Sequence, residues 1–335
     1  MSYIKVMVYK DFKTGQNDVD RRIDKVLRIF LKDISLSNLY KLLRKGLIKV
    51  NHKKVTEQYR VKKDDIICIA DFLLEEEELK AKKLQKKNNH EASTCSFYSF
   101  PQIVYKNEHL LVINKPYDVS VHGSADSLDK RFACYYQENF QNTDKSLSFK
   151  PGPLHRLDKK TTGLLCFSLS LKGAQWFTKN IQAHTIQKKY YAIILGKLTQ
   201  KQTWNDLILN EGQKKNNFYK VEAVAKASKP NALTIITPLK HGIYKNQAVT
   251  LAELEIKTGK KHQIRSQCAL HGFPLLGDTT YNSFAASLPR GFYLHAHELC
   301  FPNENPLQLP SKITCSPDEQ FFAALKDCDI DIYTL

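Results

Sequence analysis

Apolar side chains recur at two different spacings along the chain, and the change from one to the other divides it. Residues 22–31 read RIDKVLRIFL, with Ile23, Val26, Leu27 and Phe30 at helical spacing and Lys25 and Arg28 on the polar side. Residues 35–46 read SLSNLYKLLRKG. Ser35 or Ser37 is placed to cap a second helix, Leu39, Leu42 and Leu43 form its apolar stripe, and Gly46 suits a left-handed stop. LIKVN, HKK and Val55 then predict a strand, a turn and a return strand. Two short helices joined to a small hairpin are expected here.

From about residue 100 strands dominate. IVYKNEHLLVINKP reads as strand, turn and strand, ended by Pro116. LLCFSLS at 164–170, KKYYAIILGK at 188–197, the strictly alternating VTLAELEIKTG at 249–259 and FYLHAHELCF at 292–301 predict further strands. Three helices are interspersed: 171–184, a short one at 262–272 stopped by Gly272, and a capped one at 316–328. Many strands with few helices predict an α+β domain with a mainly antiparallel mixed sheet. A small α/β domain precedes it. The expected boundaries are 1–80 for the first domain, 81–98 for a charged linker and 99–335 for the second. The linker rests on EEEEL at 75–79 and the lysine-rich KAKKLQKKNNHEAS that follows.

Charge changes this picture by suggesting a partner. The 335 residues carry a formal net charge of +17. Such an excess points to a polyanion, nucleic acid first and an anionic membrane surface second, and on charge alone a solvated lysine-rich surface fits equally well. Lysines number 42 and arginines only nine. Planar bidentate contacts need arginine, so the few arginine positions matter. Exposed positions of the first module are mostly cationic: Arg22, Lys41, Arg44, Lys45, Lys49, Lys53 and Lys54. They could track a phosphate backbone.

Eight cysteines lie scattered, with no CxxC pair, which predicts reduced thiols and neither a zinc site nor a disulfide framework. No signal-peptide pattern, membrane-length apolar run, glycine-rich phosphate loop or dinucleotide fingerprint is present.

The chemistry concentrates in PLHRLDKKTTGLLCFSLS at 153–170. Read from residue types alone, Asp158 followed by Thr161, Thr162 and Gly163 fits a turn or helix cap as well as a catalytic carboxylate. HRLDKKTTG resembles the HRLD-x-x-T-S-G signature of the RluA-type pseudouridine synthases. Further segments match in that family's order: LLVINKP with VHG, KKYYAIILG, KTGKKHQIRSQCALHGFPLLGDTTY and LHAHELCFP. The first module resembles the S-four RNA-binding domain over about residues 20–75. Within the family, NKPYDVSVHGS and the first module are most like the RluC subgroup.

The resemblance implies an isomerase that converts uridine to pseudouridine in RNA, without metal or organic cofactor. Asp158 would be the catalytic carboxylate, acting on the sugar, on the uracil or by elimination. Arg265 would pair with it, and Tyr190 would stack on the uracil near the carbon that loses a proton. Arg156 would hold the space left by the flipped base. His155 and His262 would be structural hydrogen bonders. Lys260 and Lys261 stand where the family has Arg-Thr, keeping charge but losing the bidentate fork, so Lys260 is expected to touch RNA less specifically. Thr162 replaces the usual Ser. Large-subunit ribosomal RNA or its assembly intermediates is the expected partner of a cytoplasmic monomer. Transfer-RNA modification and a non-catalytic RNA chaperone on the same fold are the alternatives.

Overall fold

A computed structural model describes residues 7–32, 34–74, 99–140, 146–209, 222–225, 229–282, 288 and 290–331. The linker expected over 81–98 lies outside the described residues. Chain contacts divide the molecule into two compact units. One contains residues 1–99, 131–152 and 170–172; the other contains 100–130, 153–169 and 173–335.

Two helices and three strands carry the core of the smaller unit among the described residues. Helix α1 (Ile23–Phe30) and helix α2 (Leu36–Lys45) form as the periodicity predicts. Ser35 caps α2 by accepting from Asn38 N at 3.3 Å, and Gly46 closes it at φ 72°. Ile23, Val26, Leu27, Leu39 and Leu43 are buried against Ile48, Ile67 and Ile69. Strands β1 (Tyr9–Lys13), β2 (Ile48–Val50) and β3 (Ile66–Ala70) form an antiparallel sheet ordered β1-β3-β2. The return strand is therefore at 66–70, not at Val55 as the hairpin reading expected. Val50 and Lys53 do close a tight turn, but the chain then detours before pairing Ile48 with Ile69. Asp65 organises the detour by accepting from Asn51 Nδ2, Tyr59 Oη and Lys62 N at 2.8–2.9 Å. The unit takes in a later segment through buried Asp18, which accepts from Leu147 N at 2.9 Å and Ser148 N at 3.0 Å.

The larger unit is built on β4 (Ile103–Lys106), β5 (Leu110–Lys115), β6 (Gly152–Pro153), β7 (Thr162–Ser168), β8 (Gln187–Leu195), β9 (Gln202–Leu209), β10 (Glu222–Val224), β11 (Ala232–Tyr244), β12 (Gln247–Ile256), β13 (Leu294–Cys300) and β14 (Lys312–Thr314). The path is β10-β9-β11-β12-β8-β13-β7-β5-β4, with β14 on β13 and β6 on β7. Strands β13 and β7 run parallel, and the other registered neighbours are antiparallel. This is the mainly antiparallel mixed sheet expected. Helix α3 (Leu128–Asn139), which the pattern did not reveal, falls mostly within residues 131–152 of the smaller unit, and the larger unit carries α4 (Leu171–Gln182), α5 (Gln263–Leu270) and α6 (Glu319–Asp327). Apolar cores lie under α4, around Leu110, Leu164 and Phe177, and under α6, around Ile193, Leu251 and Phe321.

The parallel crossing depends on one glycine. Gly163 has φ +108°, and a Cβ there would lie 2.3 Å from the Ala296 carbonyl oxygen. Only a residue without a side chain lets β7 approach β13 this closely. Among the described residues six cysteines are free thiols, but Cys134 is disulfide-bonded, a departure from the fully reduced reading. Among the described residues no helix is long and apolar enough to cross a membrane.

Candidate active site

A cavity of about 260 Å³ in the larger unit draws its polar lining from four places in the fold, with Ile181, Ile256 and Leu294 among its apolar wall. The turn before β7 supplies His155, Arg156 and Asp158; β8 supplies Lys188 and Tyr190; the segment after β12 supplies Gly259, Lys260, Lys261 and His262; α5 supplies Arg265. Asp158, Tyr190 and Arg265, picked from segments far apart in sequence, thus face one space.

The Asp158 turn is held from beneath. Thr161 N donates to the Asp158 carbonyl at 3.0 Å. His155 Nε2 accepts from Cys166 N at 3.1 Å, and its ring stacks on Phe177. Desolvation pushes His155 down to about 3, so it is a neutral acceptor, the structural role expected of it. Lys115, fully buried at the end of β5, donates to the carbonyls of Pro116 and Lys159, each at 2.8 Å. Burial lowers this lysine to about 7 against the pull of Asp158 and Asp118. Sequence reading missed it. The available signal was a lysine ending an apolar strand immediately before a proline.

Arg265 departs from the simple pair that the resemblance implies. Its Nε and Nη2 grip Asp278 at 2.7 and 2.8 Å, while Nη1 is 3.7 Å from Asp158 Oδ2. The carboxylate Arg265 binds directly is Asp278, and Asp158 receives the remaining edge of the fork. Burial opposes the Arg265 charge, but Asp278 outweighs it and holds the guanidinium above its ordinary value. The Phe292 and Tyr281 rings lie 4.3 and 5.1 Å from the guanidinium carbon. Asp278 was not singled out from sequence, because nothing in LLGDTTY marks its distant partner.

His262 precedes α5 in a left-handed conformation, φ 54°. Its Nδ1 is 3.0 Å from the Tyr281 hydroxyl, and its Nε2 is 3.8 Å from Asp158 Oδ2. The hydrogen-bonding role expected of it is present, yet the ring also faces the carboxylate. Burial lowers its affinity for a proton despite Asp158.

The helix bearing Arg265 is docked through polar groups. Gln263 Oε1 accepts from Lys260 N and Thr258 Oγ1, and its Nε2 donates to Thr234 Oγ1. Thr234 donates to Gln267 Oε1 at 2.6 Å, and Gln267 Nε2 donates to Asp206 at 2.6 Å. His271 Nε2 lies 3.0 Å from the same Asp206 oxygen. Residues 263, 267 and 271 fall on one helical face.

Tyr190 is buried in mid-sheet, paired with Leu254 and Ala296, and burial pushes its phenol up. Tyr191 faces the other side and stacks on His297 at 3.7 Å, as strand alternation requires. Arg156 and Lys260 are exposed beside the cavity.

In the smaller unit the expected phosphate contacts divide. Lys41, Arg44, Lys45, Lys53 and Lys54 are exposed and pair with no carboxylate among the described residues. Arg22 is not a free fork: Asp24 takes both its Nε and Nη2 at 3.1 and 2.9 Å. Lys49 lies over the Tyr9 ring at 4.5 Å.

Residues 109–270 match the family described as RNA pseudouridylate synthase, and residues 21–67 match the S4 domain. The ribosomal large subunit pseudouridine synthase C of Vibrio vulnificus is 26% identical over 305 residues, which are 86% of this chain and 88% of the relative. The tRNA pseudouridine synthase C of Haemophilus ducreyi is 30% identical over 224 residues, 64% of this chain and 89% of the relative. The solved structure of human RNA pseudouridylate synthase domain containing 1 is 26% identical, with a TM-score of 0.51 over 65% of this chain and 83% of that one. With an N-terminal S4 domain and the pocket described above, the chain belongs to the RluA-type RNA pseudouridine synthases.

Proposed function

We propose that this enzyme isomerises uridines of large-subunit ribosomal RNA, with Asp158 as the catalytic carboxylate and Tyr190 and Arg265 as its partners. The observation that carries the residue roles is the convergence of these three side chains on one cavity. A 260 Å³ space has no room for an RNA helix, so the target nucleotide enters flipped out of its stack. The reaction breaks the bond from ribose C1′ to N1 and makes one from C1′ to C5. The hydrogen on C5 leaves as a proton and N1 gains one, so atoms and charge balance within the substrate and water.

Asp158 is 21% exposed, with a guanidinium edge on one side, and is suited to act as a charged nucleophile or base. Tyr190 offers a ring face to the uracil and a hydroxyl for proton movement at C5. Arg156, exposed beside the cavity, fills the stack that the base leaves. The exposed lysines of the S4 domain and Lys260 hold the RNA backbone. The ribosomal assignment is favoured over transfer RNA because the ribosomal relative accounts for 86% of this chain and the transfer-RNA relative for 64%. The proposed organisation is an S4 domain over 1–80, a linker over 81–98 and a catalytic domain over 99–335, acting as a cytoplasmic monomer.

The test is Asp158→Asn, assayed on 23S ribosomal RNA carrying tritium at uridine C5. Tritium release is expected to vanish while RNA binding persists. Substantial release by the variant would remove Asp158 from the chemistry, and no release by the unaltered protein would overturn the ribosomal substrate.

A further inference from the structure

Two adjacent lysines on β8 have opposite surroundings. Lys189 points away from the cavity and finds carboxylates, with Glu298 at 2.8 Å and Glu253 at 4.0 Å. Glu298 raises its affinity for a proton. Lys188, one residue earlier, shares the cavity face with Tyr190. It has no carboxylate and no hydrogen-bond acceptor among the described residues. Burial lowers its proton affinity, and the neighbouring Cys166 is a neutral thiol that burial keeps protonated.

A desolvated ammonium without a counter-charge is costly, and native sites keep such groups for a reason. The obvious counter-ion within the pocket would be Asp158. Yet the basic groups within 4.0 Å of the Asp158 carboxylate among the described residues are His262 and Arg265, at 3.8 and 3.7 Å, and Lys188 is not one of them. A Cβ placed on Gly259 would lie 3.4 Å from Lys188 Nζ, so the ammonium lies against the loop that carries Lys260 and Lys261. Those two are exposed cations lining the same cavity. Lys188 is thus the half-buried member of a cationic edge, with no ion pair to the carboxylate among the described residues.

We propose that Lys188 receives a backbone phosphate of the RNA strand that delivers the target uridine, its counter-charge arriving with the substrate. The proposal rests on reading the cavity as the uridine pocket. A phosphate fits better than a uracil carbonyl because it neutralises the ammonium rather than only accepting a hydrogen bond. The contact is made in the bound ground state and in the transition state alike, so it governs substrate affinity more than the rate of the chemical step. Lys188 is in this sense a substrate-positioning residue.

The experiment uses the full-length protein and a 23S ribosomal RNA transcript labelled with tritium at C5. Lys188→Met keeps the stem and removes the charge; Lys188→Arg keeps the charge. For Lys188→Met, KM is expected to rise about tenfold with kcat within about threefold. The slope of log binding constant against log salt should fall by about 0.7, the contribution of one single-strand phosphate. Lys188→Arg should restore the slope. Because replacing a half-buried, unpaired charge by an apolar side chain of similar length removes a desolvation cost, the Met variant should melt no earlier than the parent. Lys188→Gln is read in the same way should the Met variant melt early. Unchanged KM and salt slope in these neutral variants would overturn the proposal. So would a collapse of kcat at unchanged KM, which would place Lys188 on the reacting ring. If the unaltered protein releases no tritium, the ribosomal substrate fails, and the salt slope of binding still decides the role of Lys188.

Discussion

Arg265 holds Asp278 at 2.7 and 2.8 Å and leaves Nη1 3.7 Å from Asp158. Asp278 is almost fully buried and directs no other strong interaction at the cavity. Its grip fixes the plane of the guanidinium, and that plane decides which edge meets Asp158. Asp278→Asn removes the buried counter-charge while preserving shape. Breaking such a pair costs about 3–5 kcal/mol. Urea denaturation should show that loss, and turnover should fall about a hundredfold through misplacement of Arg265. A variant of undiminished stability and turnover would mean Asp158 alone positions the arginine.

Lys115 makes the enzyme's stability sensitive to pH in a predictable direction. Folding lowers it from 10.5 to about 7, chiefly through burial. Between those values the unfolded chain binds more protons than the folded one, so this lysine makes stability rise with pH. Below about pH 7 the full cost of burying the charge is present. Compared with Lys115→Met, the unaltered protein should gain stability from pH 7 to 10.5, as followed by urea midpoints. Equal pH slopes for the two proteins would show that Lys115 stays charged throughout. Turnover in Lys115→Met should fall about tenfold or more, because the carbonyl of Lys159, next to Asp158, loses its donor.

Gly163→Ala tests the strand crossing. The new methyl would meet the Ala296 backbone at 2.3 Å, and φ +108° is strained for alanine. A loss of about 3 kcal/mol or more is expected, read as early melting or insoluble expression. Melting within a degree or two of the parent would mean that β7 and β13 separate easily.

In the S4 domain, replacing Lys53 and Lys54 together by alanine should weaken binding to ribosomal RNA. The salt slope should fall by about 0.9 for each duplex phosphate that the domain no longer neutralises, by analogy with DNA. Arg22→Ala should change the slope less, since Asp24 already neutralises that arginine. A larger effect at Arg22 than at the lysine pair would reverse this assignment.

What could be seen from sequence depended on how local each feature is. HRLDKKTTG carries Asp158 and its turn in consecutive residues, so one segment revealed both, while the crossing that Gly163 permits depends on Ala296 of a distant strand and was not legible there. Helices α1 and α2 were equally plain, because their stripes and the Gly46 stop are local. The return strand was misplaced because the chain turns at Val50–Lys53 and pairs only after a further loop built around Asp65. Asp278, Lys115 and the cavity face of Lys188 remained hidden for a related reason. Each acquires its role from partners on other strands or on a helix, and residue type alone does not announce them. His262 fell between the two cases: the motif named it, but only folding turned it toward Asp158.

The chain of side chains beneath α5 has an evolutionary consequence. Thr258, Gln263, Thr234, Gln267 and Asp206 each satisfy a donor or acceptor on the next. Losing any one member strands its neighbour's polar atom away from water. Drift at these positions should therefore proceed by compensated exchanges, in which two or more members change together. The polar underside of this helix is expected to behave across descendants as a single inherited character.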